Sequence, residues 1–319
     1  GFALDSNGTL IEGELIEKKA FDADWCRRET NGLALAGGKL YVSLYYENKL
    51  LVLDAEKGEV TGELPLAKPG GLAADSQGRL HAISERQVLR LGADGTFAPV
   101  VTTGLAAPIG LAADSAGNLY VSDWADQMCV KVFSQEGKPL RSVGTAGGRP
   151  LEGKYDSAGM FRPWGLAVDG QNRLWAAEHD FHPKRYSVWD DQGKLQQEYC
   201  GPTWYGATEC TVDPAQPTRA FCMASIVDLD WDKGLWRVAA TLWRPTKANA
   251  LFGPIGEHGV LETLQVKDRT LLVFSRSYGY LCVSELLADR ARPLMAKGWV
   301  GDMLYEDRLL PEPLARRLF

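Results

Sequence analysis

The chain has 319 residues and a formal net charge of −6 at pH 7. Binding to the phosphate backbone of DNA or RNA needs a basic surface, so this charge argues against a nucleic-acid partner. Hydrophobic residues make up 45% of the chain. No apolar run approaches the roughly 18 residues of a membrane-spanning helix, and we expect no transmembrane segment.

One short phrase recurs along the first half of the chain. Gly-Leu-Ala begins at Gly32, Gly71, Gly110 and Gly165, at intervals of 39, 39 and 55 residues. A period near 40 residues, built from short apolar runs and turns, is typical of a propeller or another repeat array. The repeats therefore predict an all-β fold.

Each clear repeat divides into four strands separated by turns rich in Asp, Gly and Asn. The predicted strands of the third repeat are 109–113, 119–122, 128–133 and 139–143, and those of the fourth are 165–168, 173–177, 186–189 and 195–199. Two weaker repeats follow, with strands predicted at 207–212, 220–224 and 236–242, and then at 259–266, 271–274, 280–286 and 294–300.

A single four-stranded sheet cannot bury both of its faces, whereas a radial arrangement lets the sheets cover one another. We therefore predict one domain over 1–319, a six-bladed β-propeller of four-stranded blades. The blades are expected near 31–68, 69–107, 108–150, 162–202, 205–245 and 256–300, with 301–319 as a closing or linker tail. A seventh blade beginning at Gly1 is the alternative, but only 31 residues separate Gly1 from Gly32.

Two segments carry a resemblance to a known family. PIGLAADSAGNLYVSDWADQMCVKVF and RPWGLAVDGQNRLWAAEH resemble NHL repeats. The resemblance is specific over residues 31–190, about half of the chain, and fades over 205–300, where the Gly-Leu-Ala phrase is lost. It implies NHL-type blades.

In a propeller, the segments that enter each first strand and the loops that join second to third strands gather on one face, here called the top face. The fourth repeat adds an insertion, 145–161, which accounts for the interval of 55 residues and is expected to lie over the top face. The residues predicted to bind a ligand there are Trp124, Arg162, Trp164, His179, His182 and Arg185.

Two of the four histidines, His179 and His182, lie three residues apart beside carboxylates. Together with His258 they are the candidate ligands of one divalent metal ion, because imidazole suits zinc, copper and iron. A structural interpretation remains open. In it, His182-Pro183 shapes the turn and Arg185 pairs with Asp180.

The fifth repeat replaces the phrase's glycine with a carboxylate. Aligning Val212-Asp213 with Val168-Asp169 puts Glu209 where Gly165 stands. An unpaired charge near the channel would be costly, so a partner or ligand is implied. The candidate catalytic residues are Glu209, His258, Arg276 and Tyr205, a set suited to polarising and deprotonating a small polar substrate. The open alternative is a salt bridge between adjacent blades.

Two classes of function fit these features. We expect a module that binds a small polar molecule, a glycan or a protein on its top face. The alternative is a metal-dependent lyase or hydrolase with its active site at the top of the channel. The resemblance to NHL-like propellers implies two enzyme groups: the peptidyl-hydroxyglycine amidating lyases, which use a histidine-bound metal, and the gluconolactonase-like hydrolases, which use calcium. The chain lacks the three equivalent channel histidines of the lyases and the N-terminal Glu-Gly-Pro of the hydrolases' calcium site.

Because the sequence starts at Gly1 without Met, we expect a mature or excised fragment. We also expect it to be part of a larger chain or assembly, in an extracellular or periplasmic location. The chain contains six cysteines. Cys129, Cys210, Cys222 and Cys282 fall within predicted strands and are expected to be small core residues. A bridge between Cys200 and Cys210 is disfavoured because the two would lie at the outer edge and near the axis.

Overall fold

A computed structural model describes residues 30–178, 183–201, 210–242, 260–276, 280–298, 304–305 and 308–309. Throughout these ranges the regular structure is β, with no helix. The strands form six antiparallel sheets of four or five strands and one short hairpin. The prediction of an all-β fold built from four-stranded sheets is confirmed to this extent.

The first sheet contains β1 (Thr30–Ala36), β2 (Lys39–Leu44), β3 (Lys49–Asp54) and β4 (Val60–Pro65). The second contains β5 (Pro69–Ala74), β6 (Leu80–Ser84), β7 (Gln87–Leu91) and β8 (Phe97–Val101). The third contains β9 (Pro108–Ala113), β10 (Leu119–Asp123), β11 (Cys129–Phe133) and β12 (Pro139–Val143).

The fourth sheet contains β14 (Pro163–Val168), β15 (Leu174–Glu178), β16 (Lys184–Trp189) and β17 (Leu195–Gly201). The fifth contains β13 (Gly153–Lys154), β18 (Cys210–Val212), β19 (Arg219–Cys222), β20 (Ser225–Asp230) and β21 (Leu235–Thr241). The sixth contains β22 (Glu262–Val266), β23 (Arg269–Arg276), β24 (Tyr280–Leu286) and β25 (Ala291–Gly298). The hairpin pairs β26 (Leu304–Tyr305) with β27 (Arg308–Leu309).

The fifth sheet departs from its prediction. The predicted second strand, 220–224, ends at Cys222, because the chain turns at Met223, whose φ is +55°. The unpredicted strand β20 follows directly and pairs with both β19 and β21. The insertion adds β13 beyond β21, with Gly153 opposite Thr241, so this sheet has five strands.

The recurring glycines allow the first strands of successive sheets to pack closely. A Cβ atom on Gly71 would lie 2.7 Å from the backbone nitrogen of Leu111 in the next sheet. A Cβ atom on Gly110 would overlap the carbonyl oxygen of Trp164. A larger residue would therefore push the two strands apart.

Apolar side chains fill the spaces between neighbouring sheets. One cluster joins the first and second sheets around Leu50 and Leu72, and another joins the second and third around Val88 and Leu111. The third and fourth sheets share a cluster that includes Trp189. The fifth and sixth share one around the buried side chains of Phe221, Leu272 and Phe274. The core is thus a series of layers between sheets.

In the second, third and fourth repeats an aspartate ends the phrase and closes the turn that follows it. Asp75 Oδ1 accepts hydrogen bonds from the backbone nitrogens of Gln77 and Arg79, both at 3.0 Å. Asp114 and Asp169 make the same pair of bonds two and four residues ahead. The carboxylate replaces a backbone partner in the turn, which explains why Asp recurs at this position.

A buried His81 is bonded to one of these aspartates. His81 Nε2 lies 2.9 Å from Asp75 Oδ2 and donates to that carboxylate. Burial lowers the pKa of His81 and outweighs the opposing bond to Asp75. Burial also opposes ionisation of Asp75, but hydrogen bonds from His81 and Arg79 outweigh it and lower the pKa of Asp75 to about 2. His81 therefore belongs to the buried interior of the second sheet.

Acidification is expected to destabilise the fold through both groups. The pKa of His81 in the folded chain is below its ordinary value of 6.5. As the pH falls below 6.5, His81 is therefore protonated in the unfolded chain before it is protonated in the folded chain, and the free energy of unfolding decreases. The contribution of Asp75 is present above 3.8 and is lost as the pH falls toward about 2. Urea unfolding from pH 7 to pH 5 should show a flatter pH dependence in His81→Gln than in the parent chain. An equal pH dependence of stability in the two proteins would show that the pKa of His81 is not lowered by folding.

Candidate functional site

The insertion folds back on itself and reaches several sheets. Its two arms are joined by bonds from the nitrogen of Thr145 to the oxygen of Ala158 at 2.8 Å and from the nitrogen of Arg149 to the oxygen of Met160 at 3.1 Å. A Cβ atom on Gly159 would overlap the backbone of Arg149, so the close approach of the arms requires glycine there.

The tip of the insertion is attached to the fifth and sixth sheets. Beyond the pairing of β13 with β21, the nitrogen of Tyr155 donates to the oxygen of Ala239 at 2.9 Å. The nitrogen of Lys154 donates to Asp289 Oδ2, in the turn between β24 and β25, at 3.0 Å. The insertion therefore connects the fourth sheet, which it precedes, to the two sheets that follow.

A buried carboxylate, Glu178, anchors the returning arm of the insertion. Its Oε2 accepts hydrogen bonds from Arg149 Nη1 and, at 2.8 Å, from the backbone nitrogen of Phe161. Its Oε1 accepts a bond from Arg185 Nη1 at 3.1 Å. Glu178 and Arg185 lie directly opposite each other on β15 and β16, so this pair joins the two strands on either side of residues 179–182.

Arg185 extends the network outward. Its Nη1 donates to the carbonyl oxygen of Gly159 at 2.7 Å, and its Nε lies 3.0 Å from Glu198 Oε2. The hydroxyl of Tyr155 donates to the same oxygen at 2.9 Å. Burial raises the pKa of the neighbouring Cys200 to about 11, which keeps its thiol protonated and unreactive near neutral pH.

Aromatic rings surround a second buried arginine where the insertion meets β14. The guanidinium carbon of Arg162 lies 5.4 Å from the ring centre of Trp124 and 5.6 Å from that of Phe161. Trp124 and Trp164 pack edge to face at 5.5 Å, and the indole nitrogen of Trp124 donates to the oxygen of Pro163 at 2.7 Å. These are cation–π and aromatic contacts of favourable geometry.

The structure thus brings together four of the six predicted ligand-binding residues around the end of the insertion. Trp124, Arg162 and Arg185 are at most 1% exposed, and Trp164 is half-buried. The three buried side chains pack within the protein. Arg185 pairs with Glu178 and Glu198, so the arginine has acidic partners other than Asp180.

Five of the other candidate residues lie outside the described residues: His179, His182, Tyr205, Glu209 and His258. Arg276 is the last residue of β23, where it pairs with Tyr280 of β24. The catalytic and metal-binding roles of these residues stay predictions.

One contact joins the entrances of the fifth and sixth sheets, that is, the segments at the start of their first strands β18 and β22. The hydroxyl of Thr211 donates to the carbonyl oxygen of Val260 at 2.7 Å. Thr211 follows Glu209 by two residues, and Val260 follows His258 by two. The described segments next to the two predicted groups therefore touch.

Within the described ranges, no group of three or more His, Cys, Asp or Glu side chains is arranged to hold a metal ion. Over the same ranges, no helix is long and apolar enough to cross a membrane.

The described site is held together by buried ion pairs. Burial disfavours the charge of Arg149, but the nearby charge of Glu178 outweighs this and raises the pKa of Arg149. Arg149, Arg185 and Glu178 thus stay ion-paired and hold their elements in place.

The sequence patterns do not reveal the central role of Glu178 or of its partner Arg149. Arg149 follows Gly147-Gly148 in the insertion, and Glu178 ends a strand beside the histidine-containing loop. The usable signal is an arginine in an insertion that must fold over a strand ending in a carboxylate. Their pairing spans 29 residues and has no periodic pattern.

No protein-family model and no curated protein matches the chain. Solved structures to which it is similar are β-propeller proteins. One belongs to a nidogen/laminin complex, with 18% identity, a TM-score of 0.44, and coverage of 70% of this chain and 83% of that one. A streptogramin B lyase has 16% identity, a TM-score of 0.42, and coverage of 84% and 83%. A gluconolactonase from Xanthomonas campestris has 20% identity, a TM-score of 0.35, and coverage of 66% and 85%.

Proposed function

We propose that the protein is a ligand-binding module of the NHL-propeller type, with six blades. It recognises a small polar or carbohydrate-like molecule on the top face of the sector formed by the fourth to sixth sheets. It acts outside the cytoplasm, in an extracellular or periplasmic setting.

The observation that carries this proposal is the anchoring, at one point, of the insertion and of the two strand ends on either side of residues 179–182. Glu178, at the end of β15, binds Arg149 of the insertion and Arg185 near the start of β16. Burying these charges costs solvation energy, and removing one partner leaves the others uncompensated, so the arrangement strongly fixes local geometry. A binding site benefits from such rigid support because less freedom is lost when a ligand binds.

The contact between Thr211 and Val260 supports the same location. Two residues of extended chain span at most about 7 Å, so the contact limits how far the entrances of the fifth and sixth sheets can diverge. Glu209 and His258 precede Thr211 and Val260 by two residues in the sequence, and the proposal assigns both to those entrances. A carboxylate and an imidazole at one mouth would provide hydrogen bonds for the hydroxyl groups of a sugar-like ligand.

Calorimetric titration with a panel of hexoses, disaccharides and hexuronic acids tests the proposal. We expect at least one of these probes to bind, and we expect Glu209→Gln and His258→Ala each to weaken that binding at least tenfold. The melting temperature should stay within a few degrees, because channel-facing groups contribute little to the layers between sheets.

Trp231→Ala is the matched control, because Trp231 is 64% exposed in the turn between β20 and β21, opposite the top face. It should leave binding unchanged. Absence of binding across the panel, or binding that neither Glu209→Gln nor His258→Ala alters, would contradict the proposal. Stoichiometric zinc, copper or iron in the purified protein would favour the alternative of a metal-dependent lyase or hydrolase.

A further inference from the structure

Two cysteines face each other across the first two strands of the fifth sheet. Cys210 of β18 pairs with Cys222 of β19 in the strand register. Their sulfur atoms lie 2.6 Å apart. This corrects the expectation that both are core residues, because Cys210 is exposed and Cys222 is half-buried.

The register places this pair where cross-strand side chains approach most closely. The nitrogen of Asp213 donates to the oxygen of Arg219 at 2.9 Å, which marks that pair as hydrogen-bonded. Hydrogen-bonded and non-hydrogen-bonded pairs alternate along an antiparallel ladder, so Cys210 and Cys222, three pairs further along, form a non-hydrogen-bonded pair. Cα atoms in such pairs are about 4.5 Å apart, within the range that a disulfide accepts.

Cys129 and Cys200 have different surroundings. Cys129 is 1% exposed in the third sheet, and Cys200 lies at the end of β17 beside Tyr155 and Arg185. The sulfur of Cys210 is the accessible one, and Cys222 is the partner nearest to it among the described cysteines.

We propose that Cys210 and Cys222 form a disulfide bond that closes the β18–β19 hairpin. The exposed Cys210 thiolate attacks a disulfide oxidant, such as glutathione disulfide, and releases one thiolate from it. The Cys222 sulfur then attacks Cys210 in the mixed disulfide, forms the intramolecular bond and releases the second thiolate. The two cysteines lose two electrons and two protons, and the oxidant is reduced to two thiols.

The bond would cross-link the strand that directly follows Glu209 to its neighbour. It closes a short loop, and a cross-link of this kind stabilises chiefly by restricting the unfolded chain. It also fits a protein that acts in an oxidising compartment, where disulfides persist. The inference rests on the register and the sulfur positions and does not depend on the proposed ligand.

Peptide mapping of the intact chain tests the bond. The protein is equilibrated with glutathione disulfide, alkylated after denaturation and digested without reduction by trypsin and an endoproteinase that cleaves after Glu. Cleavage after Glu209 and Arg219 puts each cysteine on its own peptide: 199–209 holds Cys200, 210–219 holds Cys210 and 220–233 holds Cys222.

We expect mass spectrometry to find 210–219 linked to 220–233 in the parent chain and in Cys200→Ser, and to find no such link in Cys222→Ser. Reduction should lower the melting temperature of the parent chain by roughly 3–8 °C and leave that of Cys222→Ser unchanged. Alkylation or glutathionylation of both Cys210 and Cys222, or a link from Cys210 to another cysteine, would overturn the proposal. The parent chain decides this even where a variant fails to fold.

Discussion

Glu178→Gln is expected to lower the free energy of unfolding by about 3–5 kcal/mol, the usual cost of removing one partner from a buried ion pair. The amide keeps the shape of the carboxylate but loses its charge and one acceptor. Arg149 and Arg185 would then remain buried without the group that both contact. The bond from the nitrogen of Phe161, which fixes the returning arm of the insertion, would weaken as well.

Chemical denaturation of Glu178→Gln and Asp191→Asn measures this effect against a matched change. Asp191 lies on the same sheet, in the exposed turn after β16, and the substitution removes the same charge. We expect Asp191→Asn to stay within about 0.5 kcal/mol of the parent chain. Equal stabilities for the two variants would show that the buried network contributes nothing to holding the insertion.

Gly110→Ala is expected to destabilise the fold by about 1–3 kcal/mol or more, because the added methyl group has no space. Its Cβ atom would overlap the carbonyl oxygen of Trp164, a backbone atom that cannot rotate away. The third and fourth sheets would have to separate along their shared layer of apolar side chains.

Gly165→Ala provides the control at the equivalent position of the next repeat. Its Cβ atom would meet only the Cβ of Ala177, at 3.7 Å, among the described residues. Thermal unfolding should therefore show a large decrease for Gly110→Ala and a small change for Gly165→Ala. Similar melting temperatures would mean that the recurring glycines do not set the spacing of the sheets.

The repeats predict the sheets well because their strands alternate and their turns carry Asp and Gly. The third repeat's predicted strand 119–122 is observed as Leu119–Asp123, and 139–143 is observed as Pro139–Val143. These boundaries depend on local patterns, which a sequence displays directly. The glycine of the phrase allows neighbouring strands to pack closely, and the aspartate closes the turn that follows.

The fifth sheet was predicted less well because its signals are not local. The turn at Met223 has no Gly or Pro and interrupts what reads as one apolar run. The pairing of β13 with β21 joins segments more than 80 residues apart, and the insertion carries no strand pattern of its own.

In the candidate site, too, local sequence patterns predict some features, while others depend on contacts between distant segments. Chain order predicted that Trp124, Arg162, Trp164 and Arg185 share one region, but whether each side chain faces solvent depends on how the insertion packs. Burial of three of them beneath the returning arm follows from contacts between distant segments. Residue type alone does not reveal it.

The most direct measurement is a crystal structure of the chain bound to a sugar or sugar acid selected from the panel. The account predicts that the ligand lies at the top of the sector formed by the fourth to sixth sheets, with Glu209 and His258 within about 15 Å of each other and both contacting it, since one small ligand must touch them together. A ligand bound elsewhere, or Glu209 and His258 at opposite ends of the channel, would contradict it.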